Sequence, residues 1–129
     1  MHKQDIVHRH LKLENVMIDK VDNGEVVCKL TEFGLSSIWE PGNIPLELAG
    51  STLYKAPEMA LGIEQDTKVD IWALGVVAYS VLLGDFPFNV DENELDPKRR
   101  LEKLENAITD EEPNYSQIRA WYGHETPQT

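Results

Sequence analysis

Residues 68–83 read KVDIWALGVVAYSVLL and carry the strongest helical pattern in this chain of 129 residues. Apolar side chains recur in the stretch at intervals of mostly three or four residues, namely Val69, Trp72, Ala73, Val76 and Val77. Such spacing predicts an α-helix. Because further apolar residues lie around the rest of the circumference, we expect a central helix that is buried on most sides.

The residues around this stretch fit the ends of helices. Asp66 or Thr67 can cap the first turn, and Gly84 can end the helix because glycine adopts positive φ without strain. Beyond an acidic stretch at 91–96, a second helix is predicted from about Pro97 to Ile108. Its apolar stripe consists of Leu101, Leu104 and Ile108, and its charged residues at 98–105 are interpreted as a solvated face.

Two β-prone runs and a long irregular segment precede the helix. The runs at 16–19 and 25–30 flank Asp22-Asn23-Gly24, which is strong turn chemistry, so we expect one small β-hairpin. Residues 34–55 follow with several glycines and prolines and no clear period. Loops of this length in compact domains are usually functional or disordered.

Charge and composition exclude several classes of function. The chain has 12 Lys and Arg residues against 23 Asp and Glu, a formal net charge of −11. Binding to nucleic acid or to an anionic membrane surface needs clustered basic residues, so both are disfavoured. The single cysteine, Cys28, cannot form an internal disulfide, and no apolar run approaches the roughly 20 residues of a membrane span. We expect an intracellular protein, cytoplasmic by preference, with the nucleus as the alternative.

Four motifs stand in an informative order along the chain. They are HRHLKLEN at 8–15, EFG at 32–34, APE at 56–58 and DIWALG at 70–75. With the hairpin and the long loop, they resemble the C-terminal lobe of a eukaryotic protein kinase of the Ser/Thr type, most like the calcium/calmodulin-dependent group. In that family the first three motifs read H-R-D-L-x-x-x-N, D-F-G and A-P-E.

The resemblance implies a fold and a division of the chain. The fold is mainly α, a protein-kinase-like large lobe with one small β-hairpin and a long activation loop. Residues 1–129 would be a partial kinase domain, with a catalytic loop at 8–15, a metal motif at 32–34, an activation segment at 32–58 and a central helix at about 68–83. These residues contain no Gly-rich phosphate loop and no V-A-I-K lysine, so we expect the N-terminal lobe to be absent.

Two positions depart from the family pattern. His10 occupies the slot of the catalytic aspartate, which in the family accepts the proton of the substrate hydroxyl. Glu32 occupies the slot of the metal-binding aspartate, and its extra methylene moves the carboxylate by about 1.5 Å, which matters to the strict geometry of magnesium. Arg9 of the family pattern is retained. Lys12, which would contact the γ-phosphate, and Asn15, which would bind a metal ion, are retained as well. The family's cofactors are ATP and Mg, and their binding by this chain is in doubt.

Other residues take nucleotide-binding or structural roles by the same resemblance. The adenine base would lie on a floor made by Met17, Val77 and Val81. His8 would pack against Phe33, and Asp70 on the long helix would accept hydrogen bonds from backbone amides of the catalytic loop. A buried carboxylate needs partners of this kind.

The activation segment carries Glu47 where many relatives have an activating phosphothreonine. A permanent carboxylate there could attract Arg9, so we expect the segment to need no activating phosphorylation. Glu58 of the A-P-E motif is expected to lack the arginine with which it pairs in the family. Candidate phosphorylation sites in the segment are Ser36, Ser37, Ser51 and Thr52.

Three interpretations of function stay open at this stage. In the first, the chain is part of an enzyme that transfers phosphate from ATP to protein Ser or Thr, and these 129 residues alone are inactive. In the second, the chain is a pseudokinase-like binding or scaffold module, whose surface around 84–109 meets a protein partner. The third interpretation is a truncated gene product without function. The sequence names no substrate, partner or oligomeric state.

Overall fold

The computed structural model describes residues 1–40 and 52–116, in which helices outweigh strands. The helices are α1 (Pro57–Ala60), α2 (Lys68–Leu83) and α3 (Pro97–Asp110). The strands are β1 (Ile6–Val7), β2 (Val16–Asp22), β3 (Glu25–Leu30) and β4 (Ser37–Ile38). Short 3₁₀ turns lie at His2–Gln4, Leu13–Asn15, Phe33–Leu35 and Thr52–Tyr54.

Helix α2 has the predicted bounds. Gly84 ends it with a φ of 70°, and its backbone N–H donates to the carbonyl of Ser80 at 2.9 Å. At the other end, the carboxylate of Asp66 accepts a hydrogen bond from the backbone N–H of Lys68 at 2.7 Å, whereas Thr67 makes no side-chain cap. Asp66 is thus the residue that satisfies one of the free N–H groups of the first turn.

The burial of α2 differs from the prediction, because only one face of the helix is covered. Val69, Asp70, Ala73, Val76 and Val77 are buried. Ile71, Leu74, Val81 and Leu82 are each at least half exposed. Within the described residues, the core clusters form on the first face, so the prediction of a helix buried on most sides is wrong for this part of the chain.

Three small apolar clusters form the core, and Trp72 packs against all of them. The first consists of Leu11, Tyr54, Ala73, Val76 and Val77. The second consists of Val7, Ala56, Met59 and Val69. The third consists of Phe88, Leu104 and Ile108. Helix α2 therefore joins the start of the chain, the APE segment and α3.

The predicted hairpin is present and is longer than expected. Strands β2 and β3 pair antiparallel from Val16 opposite Leu30 to Asp22 opposite Glu25. Asn23 and Gly24 make the turn with φ values of 48° and 81°. Two consecutive positive φ angles are typical of a type I′ turn, whose twist matches that of the strands.

A second two-stranded sheet was not predicted. Strands β1 and β4 pair antiparallel, with Ile6 opposite Ile38 and Val7 opposite Ser37. Each strand has only two residues, which is too short to show an alternating pattern in sequence. This sheet fixes the residues after the EFG motif beside the residues that precede the segment at 8–15.

Helix α3 begins as predicted and ends two residues later, at Asp110. The carboxylate of Asp96 caps it by accepting a hydrogen bond from the backbone N–H of Lys98 at 3.1 Å. The helix packs against α1 and the Thr52–Tyr54 turn. Across the two described ranges, no helix is long and apolar enough to cross a membrane.

Candidate active site

Asp70 on α2 anchors the segment at 8–15 through its backbone. Its carboxylate accepts hydrogen bonds from the backbone amides of His8, at 2.7 Å, and Arg9, at 2.9 Å. The Nε2 atom of His2 lies 2.8 Å from the same carboxylate, a contact that no sequence pattern predicted. Asp70 is only 4% exposed, and these partners satisfy a carboxylate that would otherwise be costly to bury.

The His8 imidazole is fully buried between the loop and the EFG motif. Its ring meets the ring of Phe33 edge to face, with centroids 4.7 Å apart. Nε2 donates to the carbonyl of Thr31 at 2.7 Å, and Nδ1 accepts from the backbone N–H of His10 at 3.2 Å. This pattern fits the neutral tautomer that carries its proton on Nε2.

The side chain of Asn15 closes the loop onto His10. Its Nδ2 donates to the carbonyl of His10 at 2.8 Å, and the residue is buried. The backbone carbonyl of Asn15 accepts a hydrogen bond from the backbone N–H of Thr31 at 2.9 Å. The loop is thereby tied to the residue just before Glu32. Because Nδ2 is engaged, the side-chain oxygen of Asn15 is the atom that could face a metal ion.

The surroundings of His10 keep its imidazole neutral. Partial burial lowers its pKa below the ordinary value of 6.5, and the positive charge of Lys12 lowers it further. The carboxylates of Glu32 and Glu14 act in the opposite direction with smaller effect. At neutral pH the slot of the family's catalytic aspartate therefore holds an uncharged base.

Glu32 is exposed and has an unusual backbone conformation. Its φ of 61° and ψ of 60° place it in the left-handed region, which non-glycine residues seldom adopt. The described residues contain no group of three or more His, Cys, Asp or Glu side chains that could hold a metal ion. A metal ion here would have to be held by the oxygens of Asn15 and Glu32 together with oxygens of the bound ligand.

The three residues expected to form the adenine floor lie in different environments. Val77 is buried in the core cluster that contains Leu11 and Tyr54. Met17 on β2 is 52% exposed, and Val81 on α2 is 64% exposed. The two exposed side chains have apolar surface to offer a ligand, whereas Val77 is enclosed in the core and offers little.

Only part of the activation segment can be located. Glu47 and Ser51 lie outside the described residues. Thr52 begins the 3₁₀ turn that ends at Tyr54, and the hydroxyl of Tyr54 accepts a hydrogen bond from the backbone N–H of Leu13 at 3.4 Å. Glu58 lies in the first turn of α1 and is half-buried.

The Arg9 side chain makes contacts that sequence reasoning missed. Its Nε donates to the hydroxyl of Ser37 at 2.6 Å, and its Nη1 approaches the side-chain carbonyl of Gln65 at 3.4 Å. Gln65 is buried, and its backbone carbonyl accepts a hydrogen bond from the indole N–H of Trp39 at 2.9 Å. Residues 28 and 56 positions away in sequence thus meet at Arg9, and no local pattern signals such contacts.

A buried ion pair was also missed. The Lys55 ammonium lies 2.7 Å from the carboxylate of Glu105, and their side chains are 4% and 23% exposed. The charge pattern of 98–105 predicted a solvated face, and that prediction is wrong for Glu105. The residue turns toward the APE segment because α3 packs there.

The anchored loop, the EFG turn and the APE helix together define a class of protein, the protein kinases. The family model described as protein kinase domain matches residues 1–124. The chain belongs to the eukaryotic Ser/Thr protein kinase family.

Individual relatives agree with this assignment. The chain is 45% identical over 101 residues to an Aurora kinase of Candida glabrata, covering 78% of this chain and 27% of the relative. It is 41% identical over 93 residues to a probable serine/threonine-protein kinase KIN1 homolog of Enterocytozoon bieneusi, covering 71% and 15%. It is 37% identical over 102 residues to calcium-dependent protein kinase 4 of Plasmodium falciparum, covering 79% and 19%. The matched part thus spans roughly a quarter or less of these relatives.

Proposed function

We propose that this chain is the part of a kinase large lobe that carries the catalytic loop, and that it does not transfer phosphate from ATP to protein. The observation that carries the proposal is that His10 stands in the slot of the family's catalytic aspartate. In the family, an aspartate in this slot orients the substrate hydroxyl and accepts its proton. An imidazole could accept a proton, but it lacks the fixed negative charge that the aspartate supplies beside metal ions and a polyanion.

The residues of the metal motif support the proposal, because they form a weaker magnesium site than that of the family. Amide and carboxylate oxygens are suitable ligands for magnesium, so Asn15 and Glu32 could hold an ion together with nucleotide phosphates. Such an ion, when bound, would neutralise charge on the phosphates. The longer side chain of Glu32 and its strained backbone make this pair less suited to strict octahedral geometry than the family's aspartate. Met17 and Val81 would contact the adenine, and Lys12 would approach the γ-phosphate.

Phosphate incorporation from radiolabelled Mg·ATP into a generic basic protein tests the proposal on the chain of 129 residues. We expect no incorporation above the blank, and no shift of the melting temperature with Mg·ATP. The variant carrying both His10→Asp and Glu32→Asp should also be inactive, because these residues contain no Gly-rich loop and no V-A-I-K lysine. Incorporation that requires metal and disappears in Lys12→Met would contradict the proposal. A metal-dependent rise in melting temperature would overturn the account of the nucleotide site.

A second candidate function is that of a binding module. The supporting observation is a cavity of about 340 Å³ beside the turn that follows α2. Its walls include Trp72, Tyr79, Leu82, Pro87, Phe88 and Tyr115. Aromatic and apolar walls of this kind are typical of ligand pockets. Apolar fragments screened by NMR should shift the signals of Tyr79 and Phe88, and Leu82→Asp should abolish the effect. Absence of any shift in the unmodified chain would remove this candidate.

A further inference from the structure

The cavity beside the turn that follows α2 has aromatic, uncharged walls. Its volume of about 340 Å³ lies at the small end of the range for ligand pockets, which is roughly 300–1,000 Å³. Two pairs of neighbouring rings contribute to the walls, Trp72 with Phe88 and Tyr79 with Tyr115. None of the lining residues in the described part of the chain carries a formal charge. The walls therefore suit a small apolar ligand without charge.

The indole of Trp72 adds one polar group to these walls. Its Nε1 atom is buried and has no hydrogen-bond partner among the described residues. Ser80 Oγ is the other buried side-chain atom of this kind in the described ranges, but Ser80 is not one of the lining residues. A buried donor that lacks an acceptor is costly, and such groups are rare in folded proteins. Trp72 therefore provides both a wall of the cavity and an unsatisfied donor.

The hydroxyl of Tyr79 is already engaged and stays neutral. It donates a hydrogen bond to the backbone carbonyl of Asn114. Burial raises the pKa of the Tyr79 phenol, and the negative charge of Asp85 raises it further. An acidic group near a neutral wall, in a chain of net charge −11, disfavours an anionic ligand. The buried N–H of Trp72 is thus left for a neutral acceptor.

The relative orientation of two rings favours a flat ligand. The planes of Trp72 and Phe88 differ by only 7°, and their centroids are 6.2 Å apart. Aromatic rings attract one another in offset stacks at centroid distances of about 4.5–7 Å, and this attraction adds to the burial of apolar area. Parallel rings in the wall offer a third aromatic ring the same stacking direction.

We propose that this cavity binds a small, flat, uncharged aromatic molecule whose hydrogen-bond acceptor pairs with the indole N–H of Trp72. The inference rests on the binding module given above as the second candidate function, and it names the class of ligand. The acceptor satisfies the buried donor, and the ligand ring stacks on the aromatic walls. A molecule of the same shape without an acceptor gains only the stacking and the burial.

Two bicyclic probes of nearly the same shape test the role of the acceptor. Quinoline has a ring nitrogen that accepts a hydrogen bond, and naphthalene has none. Each is titrated, below the solubility limit of naphthalene, into the isotope-labelled chain of 129 residues, and NMR follows the indole N–H signal of Trp72. We expect quinoline to bind about tenfold more tightly and to move this signal further downfield than naphthalene does.

Gly75 offers a variant that fills the cavity. The residue lines the cavity on α2, and a Cβ atom placed on it would meet no neighbouring element within 4 Å. Gly75→Leu should therefore fold, because leucine also favours a helix more than glycine does. Its melting temperature should be no lower than that of the unaltered chain, and it should no longer bind quinoline.

The possible results separate this inference from the binding module itself. Equal affinities for the two probes, with equal shifts of the Trp72 signal, would overturn the class of ligand and leave the binding module in place. Binding of quinoline that persists in Gly75→Leu would overturn the location. Absence of binding by either probe would overturn the inference and the binding module together. The comparison of probes uses the unaltered chain, so it decides the question even if Gly75→Leu does not fold.

Discussion

The ammonium nitrogen of Lys55 lies 2.7 Å from a carboxylate oxygen of Glu105, and both side chains are largely removed from solvent. The pair joins the residue just before the APE motif to helix α3. Removing one member of a buried pair leaves the other charge buried without compensation, which typically costs about 3–5 kcal/mol. The position of α3 on the APE segment therefore depends on a contact that involves no residue of the segment at 8–15.

The first prediction concerns this pair. Lys55→Met should lower the free energy of unfolding by about 3 kcal/mol because Glu105 loses its partner, and adding Glu105→Leu should recover part of the loss. Urea denaturation measures both. Lys103→Met is the control, because Lys103 pairs with Asp91 on the surface and exposed pairs contribute about 1 kcal/mol or less. Equal losses for Lys55→Met and Lys103→Met would contradict the prediction.

The second prediction concerns the anchoring of the catalytic loop. Asp70→Asn replaces one acceptor oxygen with a donor that faces a backbone N–H, so we expect a loss of about 2 kcal/mol in stability. Hydrogen exchange at the amides of His8 and Arg9 should accelerate more than exchange in α3. Asp66→Asn, which keeps an acceptor at an exposed helix cap, should change stability by under about 0.5 kcal/mol. Unchanged protection of the two amides would show that Asp70 does not hold the loop.

The third prediction concerns the ionisation of His10. Because burial and the charge of Lys12 lower its pKa in the folded chain, the unfolded chain binds the proton more tightly. The contribution of His10 to stability is therefore complete above pH 6.5 and falls as the pH drops below that value. An NMR titration of the imidazole should give a midpoint below 6.5, with His10→Gln used to assign the signal. A midpoint above 6.5 would mean that folding raises the pKa of His10, and it would contradict the prediction.

The fourth prediction separates two leucines of α3. Leu104 is 3% exposed and packs with Phe88 and Ile108, whereas Leu101 is 40% exposed. Leu104→Ala should cost about 2–4 kcal/mol, because it removes buried methyl groups and leaves a cavity. Leu101→Ala should cost about 1 kcal/mol or less, and thermal denaturation compares the two. Similar losses of stability for the two variants would mean that Leu101 and Leu104 are equally buried, as the predicted apolar stripe implies, and would contradict the observed burial.

The sequence patterns correctly predicted the features that depend on residues close to one another in the chain. The bounds of α2 follow from periodicity and from Gly84, and the Asn23-Gly24 turn follows from its need for positive φ. The covered face of α2 did not follow, because periodicity locates apolar residues without telling which of them a partner element covers. Exposed residues such as Val81 show this limit.

The candidate site was predictable from motifs and not from local physics. The resemblance predicted that Asp70 binds loop amides, and hydrogen bonds to His8 and Arg9 are present. The contact of Arg9 with Ser37 joins residues 28 positions apart, and the pair of Lys55 and Glu105 joins residues 50 apart. Contacts at that range depend on the packed fold, so composition and spacing carry no signal for them.

The backbone contacts of His10 bear on which substitutions this position tolerates. Both of its main-chain groups are used, the N–H by the His8 ring and the carbonyl by Asn15. Every residue except proline offers the same two groups. These two backbone contacts therefore do not depend on which side chain the position carries, and a substitution here can change the chemistry of the loop while both contacts persist.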